Sequence, residues 1–105
     1  MSVQLDPQGR EIRALLQVAG EFDGKHVLEI GCGDGRLTWR YAQRAASVVG
    51  IDPNADKIAR AISMTPEDYL GRLDLRVSDL EAFALAWLKE QPGVLFDLVL
   101  LSWSL

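Results

Sequence analysis

The stretch VLEIGCGDGRLT, residues 27–38, has the features of a ligand-binding turn between a strand and a helix. An apolar run at residues 26–30 ends at glycine, as a buried strand does. Gly31, Gly33 and Gly35 then occupy alternate positions before a helical pattern begins. Alternate glycines allow the chain to leave the strand sharply and let a ligand lie against bare backbone. The N-terminus of the following helix adds free N–H groups and the positive end of its dipole.

The rest of the chain alternates strand and helix patterns. Further strands are predicted at 47–52, 73–80 and about 96–101, and helices are predicted from Asp6 to Phe22, from Gly35, after Pro53 and over 81–90. This alternation predicts an α/β fold, with a doubly wound parallel sheet, right-handed crossovers and helices on both faces. Ligands of such sheets bind beyond the carboxyl ends of the strands. Those ends are predicted at Gly31, Asp52, Asp79 and Ser102.

The length, composition and charge of the chain indicate its domain count, its possible partners and its location. A chain of 105 residues accommodates one small domain, and 49% apolar with 25% charged residues is ordinary for a soluble globular protein. The net charge of −4 and the lack of a basic run give no strong sign of a nucleic-acid partner. A single cysteine, no apolar stretch of membrane-spanning length and no signal-peptide core favour a cytoplasmic protein without membrane contact.

Two acidic residues at predicted strand ends indicate the kind of ligand. Asp52 closes the second strand, 17 positions after Gly35, where a carboxylate can accept hydrogen bonds from both hydroxyls of a ribose. Asp79 closes the third strand, where its carboxylate or nearby backbone can meet an exocyclic amine. These features describe a cofactor that contains a nucleoside. The dinucleotide fingerprint G-x-G-x-x-G does not fit, because its third glycine would fall on Arg36.

Four segments resemble, in order, the motifs of class I S-adenosylmethionine-dependent methyltransferases. VLEIGCGDGRLT resembles the first motif, VVGIDPN the second, RVSDLEAF the third and FDLVLLSWSL the fourth. The match in order and spacing extends from about residue 10 to the end of the chain. The resemblance implies a Rossmann-like sheet with strand order 3-2-1-4. It also implies an enzyme that transfers a methyl group from S-adenosylmethionine to an unidentified acceptor, expected to be a small molecule.

The same resemblance implies individual roles for the cofactor-binding residues. The methionine portion would be lined by Gly31, Cys32, Gly33 and Gly35, with Glu29 supporting its ammonium group directly or through water. Ser102 would lie near the methionine end and the reacting methyl group. The ribose and adenine would be held by Asp52, Pro53, Asp79 and the backbone of Leu80. No side chain stands out as a catalytic base, and no metal ligand is assigned.

Simpler structural roles remain open for several of these residues. The glycines also suit a plain tight turn, and either aspartate suits the cap of the helix that follows it. Glu29 also suits an internal hydrogen-bond partner for the loop, and Cys32 a small packing residue. Trp103, after the fourth strand, suits packing or substrate contact equally well.

The resemblance covers only part of the family's domain. Class I methyltransferases usually have seven strands, whereas this sequence stops just after the fourth. Residues 1–105 are therefore expected to form one S-adenosylmethionine-binding domain that is incomplete at its C-terminal end, with most of the acceptor pocket missing. The fourth strand would have an unpaired edge, which favours self-association. The alternative function is a non-catalytic module that keeps the nucleotide-like site or only the fold, and pairs through this strand.

Overall fold

The computed structural model describes residues 22–102, which form a four-stranded parallel sheet with strand order β3-β2-β1-β4. The strands are β1 (His26–Ile30), β2 (Ser47–Asp52), β3 (Leu73–Val77) and β4 (Leu98–Leu101). The helices are α1 (Thr38–Tyr41), α2 (Ala55–Ser63) and α3 (Leu80–Glu90), with a 3-10 turn at Glu67–Tyr69. The predicted fold class and strand order are confirmed. Of the predicted N-terminal helix, all but Phe22 lies outside the described residues.

The register of the sheet brings the carboxyl ends of the strands together. Ile30 pairs with Ile51 on one side and Leu101 on the other, and Asp52 pairs with Val77. Because all the strands are parallel, the segments that follow them emerge at the same edge of the sheet. The glycine loop is therefore flanked by Asp52 and by Ser102.

One face of the sheet packs against α1 and the turns around it. Side chains alternate between the two faces of a strand, so Val27, Val48 and Leu100 share this face. They form a buried cluster with Tyr41 and with Phe22, whose ring stacks on that of Tyr41 with 4.6 Å between centroids. Packing in this cluster holds α1, which follows the glycine loop, against this face of the sheet.

The opposite face packs against α3. Leu28, Val49 and Ile51 form a second buried cluster with Phe83, and Trp87 packs against it. Arg76 of β3 closes the outer side of this cluster, because its guanidinium lies 5.6 Å from the Phe83 ring centroid and 5.4 Å from that of Trp87. The same guanidinium is paired with Asp74 and Glu90.

Two local predictions were wrong in extent. The helix predicted from Gly35 is limited to the four residues of α1, because the N–H groups of Arg44 and Ala45 both donate to the Tyr41 carbonyl and turn the chain towards β2. The third strand ends at Val77 and not at residue 80, since α3 begins at Leu80.

Among residues 22–102, no helix is long and apolar enough to cross a membrane.

Candidate cofactor site

The glycine loop needs glycine for its backbone conformation. Gly31, Gly33 and Gly35 have φ of 83°, 57° and 89°, in the left-handed region that favours glycine. Gly35 also lacks space, because an added Cβ would lie 2.8 Å from the indole of Trp39. The loop is fastened to β2, since the N–H groups of Gly31 and Cys32 donate to the Ile51 carbonyl at 2.8 and 3.1 Å.

Asp52 joins this loop to the beginning of α2. Its Oδ2 accepts a hydrogen bond from the Gly33 N–H at 2.9 Å, and its Oδ1 accepts one from the Asn54 N–H at 2.8 Å. Each carboxylate oxygen has two lone pairs, so the group has capacity for two ribose hydroxyls as well. Asp52 does not cap the helix, because the cap of α2 is Asn54, whose Oδ1 accepts from the Lys57 N–H.

Asp79 does cap its helix. Its Oδ1 accepts a 2.7 Å hydrogen bond from the Ala82 N–H in the first turn of α3, which confirms the capping interpretation. The Ser78 N–H donates to the Asp52 carbonyl and draws the ends of β2 and β3 together. Pro53 and Leu80, which follow the two aspartates, are both exposed apolar residues. The aspartates and these two side chains supply polar and apolar surface of the kind that a nucleoside needs.

Glu29 is fully buried under the glycine loop, with 0% of its surface exposed. Its Oε1 accepts hydrogen bonds from the hydroxyls of Thr38 (2.7 Å) and Tyr41 (2.5 Å), and its Oε2 accepts one from Ser102 (2.5 Å). Burial raises the pKa of Glu29 above its ordinary value, and the three hydroxyls partly oppose that rise. Glu29 thus has an internal hydrogen-bond role, but its partners lie on α1 and after β4 and not in the glycine loop.

Tyr41 remains a neutral donor at ordinary pH. Burial and the neighbouring Glu29 raise the pKa of its phenol well above the usual value. Thr38 and Tyr41 were not predicted as partners of Glu29, although one signal was available. A buried glutamate needs donors, and these residues lie three positions apart on the helix that follows the loop.

Ser102 reaches the loop from the end of β4. Its N–H donates to the Ile30 carbonyl at 2.9 Å, and its Oγ lies 2.5 Å from Glu29 Oε2 and 3.1 Å from the Gly31 carbonyl oxygen. The side chain is buried. The structure therefore brings together the two predicted residues, Glu29 and Ser102, that lie 73 positions apart in the sequence.

Cys32 has the character of a packing residue. Its side chain lies against Gly50, where an added Cβ would be 3.0 Å from the sulfur. Burial, together with the charges of Glu29, Asp52 and Asp34, raises the pKa of the thiol to about 12. A thiol that stays protonated is a poor nucleophile, so the structure gives Cys32 no covalent role.

The donors and acceptors of this edge fit S-adenosylmethionine. Gly31, Gly33 and Gly35 offer bare backbone, and Asp52 offers a carboxylate beside it. Ser102 and the Gly31 carbonyl offer neutral oxygens next to the buried Glu29. The site therefore presents acceptors suited to both a ribose and a cationic amino group.

Comparison with known proteins identifies the family. A family model described as "Methyltransferase domain" matches residues 21–104. The chain is 36% identical over 86 residues to a tRNA U34 carboxymethyltransferase of Ectopseudomonas mendocina, which covers 76% of this chain and 27% of that protein. It is 38% identical over 77 residues to a ubiquinone biosynthesis O-methyltransferase of Leptothrix cholodnii, covering 73% of this chain and 31% of the relative. The chain thus spans less than a third of the length of these two relatives.

A solved structure shows the same fold. Magnesium protoporphyrin IX methyltransferase from Synechocystis PCC 6803, solved with bound S-adenosylmethionine, superposes with a TM-score of 0.65. Its sequence is 22% identical, and the match covers 90% of this chain and 43% of that one. With the match of the family model over residues 21–104, the chain belongs to the class I S-adenosylmethionine-dependent methyltransferases.

Proposed function

We propose that this chain is the cofactor-binding part of an enzyme that transfers the methyl group of S-adenosylmethionine to a small-molecule acceptor. One observation carries the proposal: the Asp52 carboxylate, at the end of β2, is hydrogen-bonded to the Gly33 N–H of the glycine loop. This contact brings a carboxylate of the kind that accepts hydrogen bonds from ribose hydroxyls next to the bare backbone of the loop, which supports the proposal. Membership of the methyltransferase family supports the reaction.

Each part of the cofactor has a counterpart at this edge of the sheet. Asp52 would accept hydrogen bonds from the ribose hydroxyls. Pro53 would hold the adenine, and Asp79 with the Leu80 backbone would bind the adenine amine. The methionine portion would be held by Gly31, Cys32, Gly33 and Gly35, together with Ser102. Glu29 would support the ammonium group of the cofactor.

The bound cofactor supplies a methyl group on a positively charged sulfur, ready for in-line displacement by a nucleophile of the acceptor. The chain's own contribution is to hold the cofactor in one orientation, which lowers the entropic part of the barrier. Cys32 does not take part as a nucleophile, since its thiol is protonated. We assign no base and no metal to the described residues.

We propose a small-molecule acceptor because of the net charge of the chain. The chain carries a net charge of −4 and no run of basic residues, whereas phosphate backbones are bound by clustered Lys and Arg. The relatives include both a tRNA enzyme and a ubiquinone biosynthesis enzyme, so the family alone does not decide between acceptors. A single cysteine, already buried, favours the reducing cytoplasm as the location.

Exposed apolar residues beside β4 support the proposal that residues 1–105 are an incomplete domain. Val99 and Leu101 of β4 are about half exposed, and Leu95 is 82% exposed. In a complete domain we expect further strands and helices to cover them. The same residues support the second candidate function, a non-catalytic module that associates with another copy through β4.

Calorimetric titration with S-adenosylhomocysteine, the product form of the cofactor, tests the binding role of Asp52. We expect Asp52→Asn to weaken binding at least tenfold, because the variant replaces one acceptor oxygen by a donor. Asp56→Asn is the matched control, since Asp56 is exposed in the first turn of α2. Unchanged affinity in Asp52→Asn would contradict the assignment.

A further inference from the structure

The ring of Tyr69 stacks on the indole of Trp39, which in turn lies against Gly35 at the end of the glycine loop. We propose that Tyr69 and Arg72, which lie in the connection between α2 and β3, are positioning residues for the cofactor because they hold Trp39 against this loop. The inference rests on the proposed function. It extends the set of residues on which cofactor affinity depends beyond the loop and the strand ends.

Trp39 limits the positions that are open to Gly35. A Cβ added to Gly35 would lie 2.8 Å from Cζ2 and 2.9 Å from Cε2 of the indole, so the indole fills the space on that side of the glycine. The Gly35 carbonyl also accepts a 3.0 Å hydrogen bond from the Trp39 N–H. The beginning of the loop is fastened to β2, whereas its end at Gly35 is packed on this side chain. A shift of the indole would therefore allow Gly35 to move.

The contacts of α1 with the core do not determine where the indole lies. The hydrogen bonds from Thr38 and Tyr41 to Glu29 hold the helix in place, but they do not restrict the side-chain rotamer of Trp39. The ring of Tyr69 does restrict it, since the two rings are parallel to within 18° and their centroids are 6.0 Å apart. Aromatic pairs at about this separation attract each other beyond the burial of their surfaces.

Arg72 holds Tyr69 in place relative to the segment that leaves α1. Its guanidinium carbon lies 5.4 Å from the centroid of the Tyr69 ring, within the range of a cation–π contact. Its Nη1 donates to the carbonyl oxygens of Gln43 and Ala45, both at 3.3 Å, and its Nη2 donates to that of Asp68 at 3.4 Å. One planar guanidinium can serve three carbonyls because its donors form a fixed fork. The 3-10 turn and the end of α1 are thereby joined through one side chain.

The contacts thus run from Gly35 through Trp39 and Tyr69 to Arg72. The proposed cofactor site uses none of these three side chains as a ligand, so they act on the cofactor through the position of the loop. The apparent affinity of a site falls in proportion to the fraction of molecules that have the binding-competent conformation. Loss of the stacked ring should therefore weaken binding although no cofactor contact is removed.

Calorimetric titration of the 105-residue chain with S-adenosylhomocysteine tests this inference. Tyr69→Leu keeps an apolar side chain packed against the buried cluster that contains Tyr41, but it removes the stacked ring. We expect it to weaken binding about three- to tenfold, the fold-change that corresponds to one aromatic pair. Tyr69→Phe keeps the ring and should bind within about twofold of the wild type. Arg72→Met should also weaken binding, which covers the case that Tyr69→Leu does not fold.

The fluorescence of Trp39 distinguishes positioning from a general loss of stability. Trp87→Phe and Trp103→Phe together leave Trp39 as the single tryptophan of the chain. In that background we expect Tyr69→Leu to lower the fluorescence anisotropy of Trp39 in the free chain, because the indole is no longer held. Saturating S-adenosylhomocysteine should restore the anisotropy, since a bound cofactor selects the conformation in which the loop and the indole are packed.

Phe96→Ala is the matched control for the loss of an aromatic ring. Phe96 packs with Phe83 and Trp87 on the opposite face of the sheet, at ring-centroid distances of 6.2 and 5.1 Å. The variant should lower the stability of the chain and leave the affinity for S-adenosylhomocysteine within about twofold of the wild type.

Wild-type affinity in Tyr69→Leu, an equal loss of affinity in Phe96→Ala, or an unchanged anisotropy of Trp39 would overturn this inference alone. Failure of the wild-type chain to bind S-adenosylhomocysteine would instead overturn the proposed function, and this inference with it.

Discussion

At the scale of single residues, Glu29 is a carboxyl group whose charged form is disfavoured by complete burial. The surrounding hydroxyls of Thr38, Tyr41 and Ser102 are neutral, and so is the neighbouring thiol of Cys32. A carboxyl group whose folded-state pKa is raised stabilises the fold below its unfolded-state pKa. That contribution is lost as the pH rises through the folded-state pKa.

The stability of the chain should therefore fall as Glu29 ionises. Relative to Glu29→Gln, we expect the wild-type free energy of unfolding to decrease from about pH 4.3, the unfolded-state pKa, up to the raised folded-state pKa. Urea denaturation at a series of pH values measures this difference. Glu81→Gln is the control because Glu81 is exposed on α3. Parallel pH profiles for wild type and Glu29→Gln would contradict the burial argument.

Tyr41 provides a second test at this scale. Tyr41→Phe keeps the stacked contact with Phe22 and removes only the hydroxyl that donates to Glu29. We expect a loss of about 1–3 kcal/mol in the free energy of unfolding near neutral pH. This loss of stability should be smaller in acid, because the hydrogen bond from the Tyr41 hydroxyl stabilises a protonated Glu29 less than a charged one. A loss that is equal at all pH values, or absent, would show that the carboxylate does not depend on this hydroxyl.

At the scale of secondary-structure elements, the junction between β3 and α3 combines a cap with a proposed cofactor contact. Asp79 caps α3 through the Ala82 N–H, and its carboxylate is also assigned to the adenine amine. Serine caps helices about as well as aspartate but has no carboxylate. The two roles of Asp79 can therefore be separated by substitution.

We expect Asp79→Ser to retain the stability of the wild type within about 0.5 kcal/mol, whereas Asp79→Ala loses about 1 kcal/mol with the cap. Both variants should bind S-adenosylhomocysteine more weakly than the wild type. Asn54→Ala, which removes the cap of α2, gives a reference for the cost of a cap alone. Full affinity in Asp79→Ser would leave the residue with its capping role only.

The sequence predicts the bounds of an element well where a local pattern of residues sets them. It predicts them poorly where tertiary contacts set them. β1 and β2 were predicted at their observed bounds, because each is a buried apolar run followed by a glycine or proline signal. The length of α1 was not, since GRLTWRYAQRAA has a helical pattern throughout. Its helix stops because the N–H groups of Arg44 and Ala45 donate to the Tyr41 carbonyl, and the Ala46 N–H then donates to the Lys25 carbonyl on the path into β2. The partners of Glu29 were missed for a related reason, because they depend on how α1 packs below the sheet.

At the scale of the whole molecule, the surface beside β4 exposes several apolar side chains. Leu95, Val99 and Leu101 are exposed there, whereas Leu100 on the other face of β4 is buried. Edge strands with exposed apolar side chains favour association, and a lysine on such a strand opposes it. We therefore expect this surface to favour association between copies of the chain.

We expect the wild-type chain to show concentration-dependent association in sedimentation velocity experiments, and Val99→Lys to reduce it. Ile62→Lys is the control, because Ile62 is an equally exposed apolar residue on α2, away from β4. A wild-type chain that stays monomeric at all concentrations, or an equal effect of both substitutions, would contradict association through β4.

We propose that the edge formed by the glycine loop and Asp52 is a site for S-adenosylmethionine. A thermal melt of the 105-residue chain with and without S-adenosylhomocysteine, with NAD as the control, tests this proposal. Ligand at ~100 times its Kd should add roughly 2.7 kcal/mol, which raises the Tm of a domain of this size by on the order of 10 °C. We predict a cooperative transition that S-adenosylhomocysteine raises and NAD does not. A transition raised by NAD, or one indifferent to both ligands, would contradict the claim.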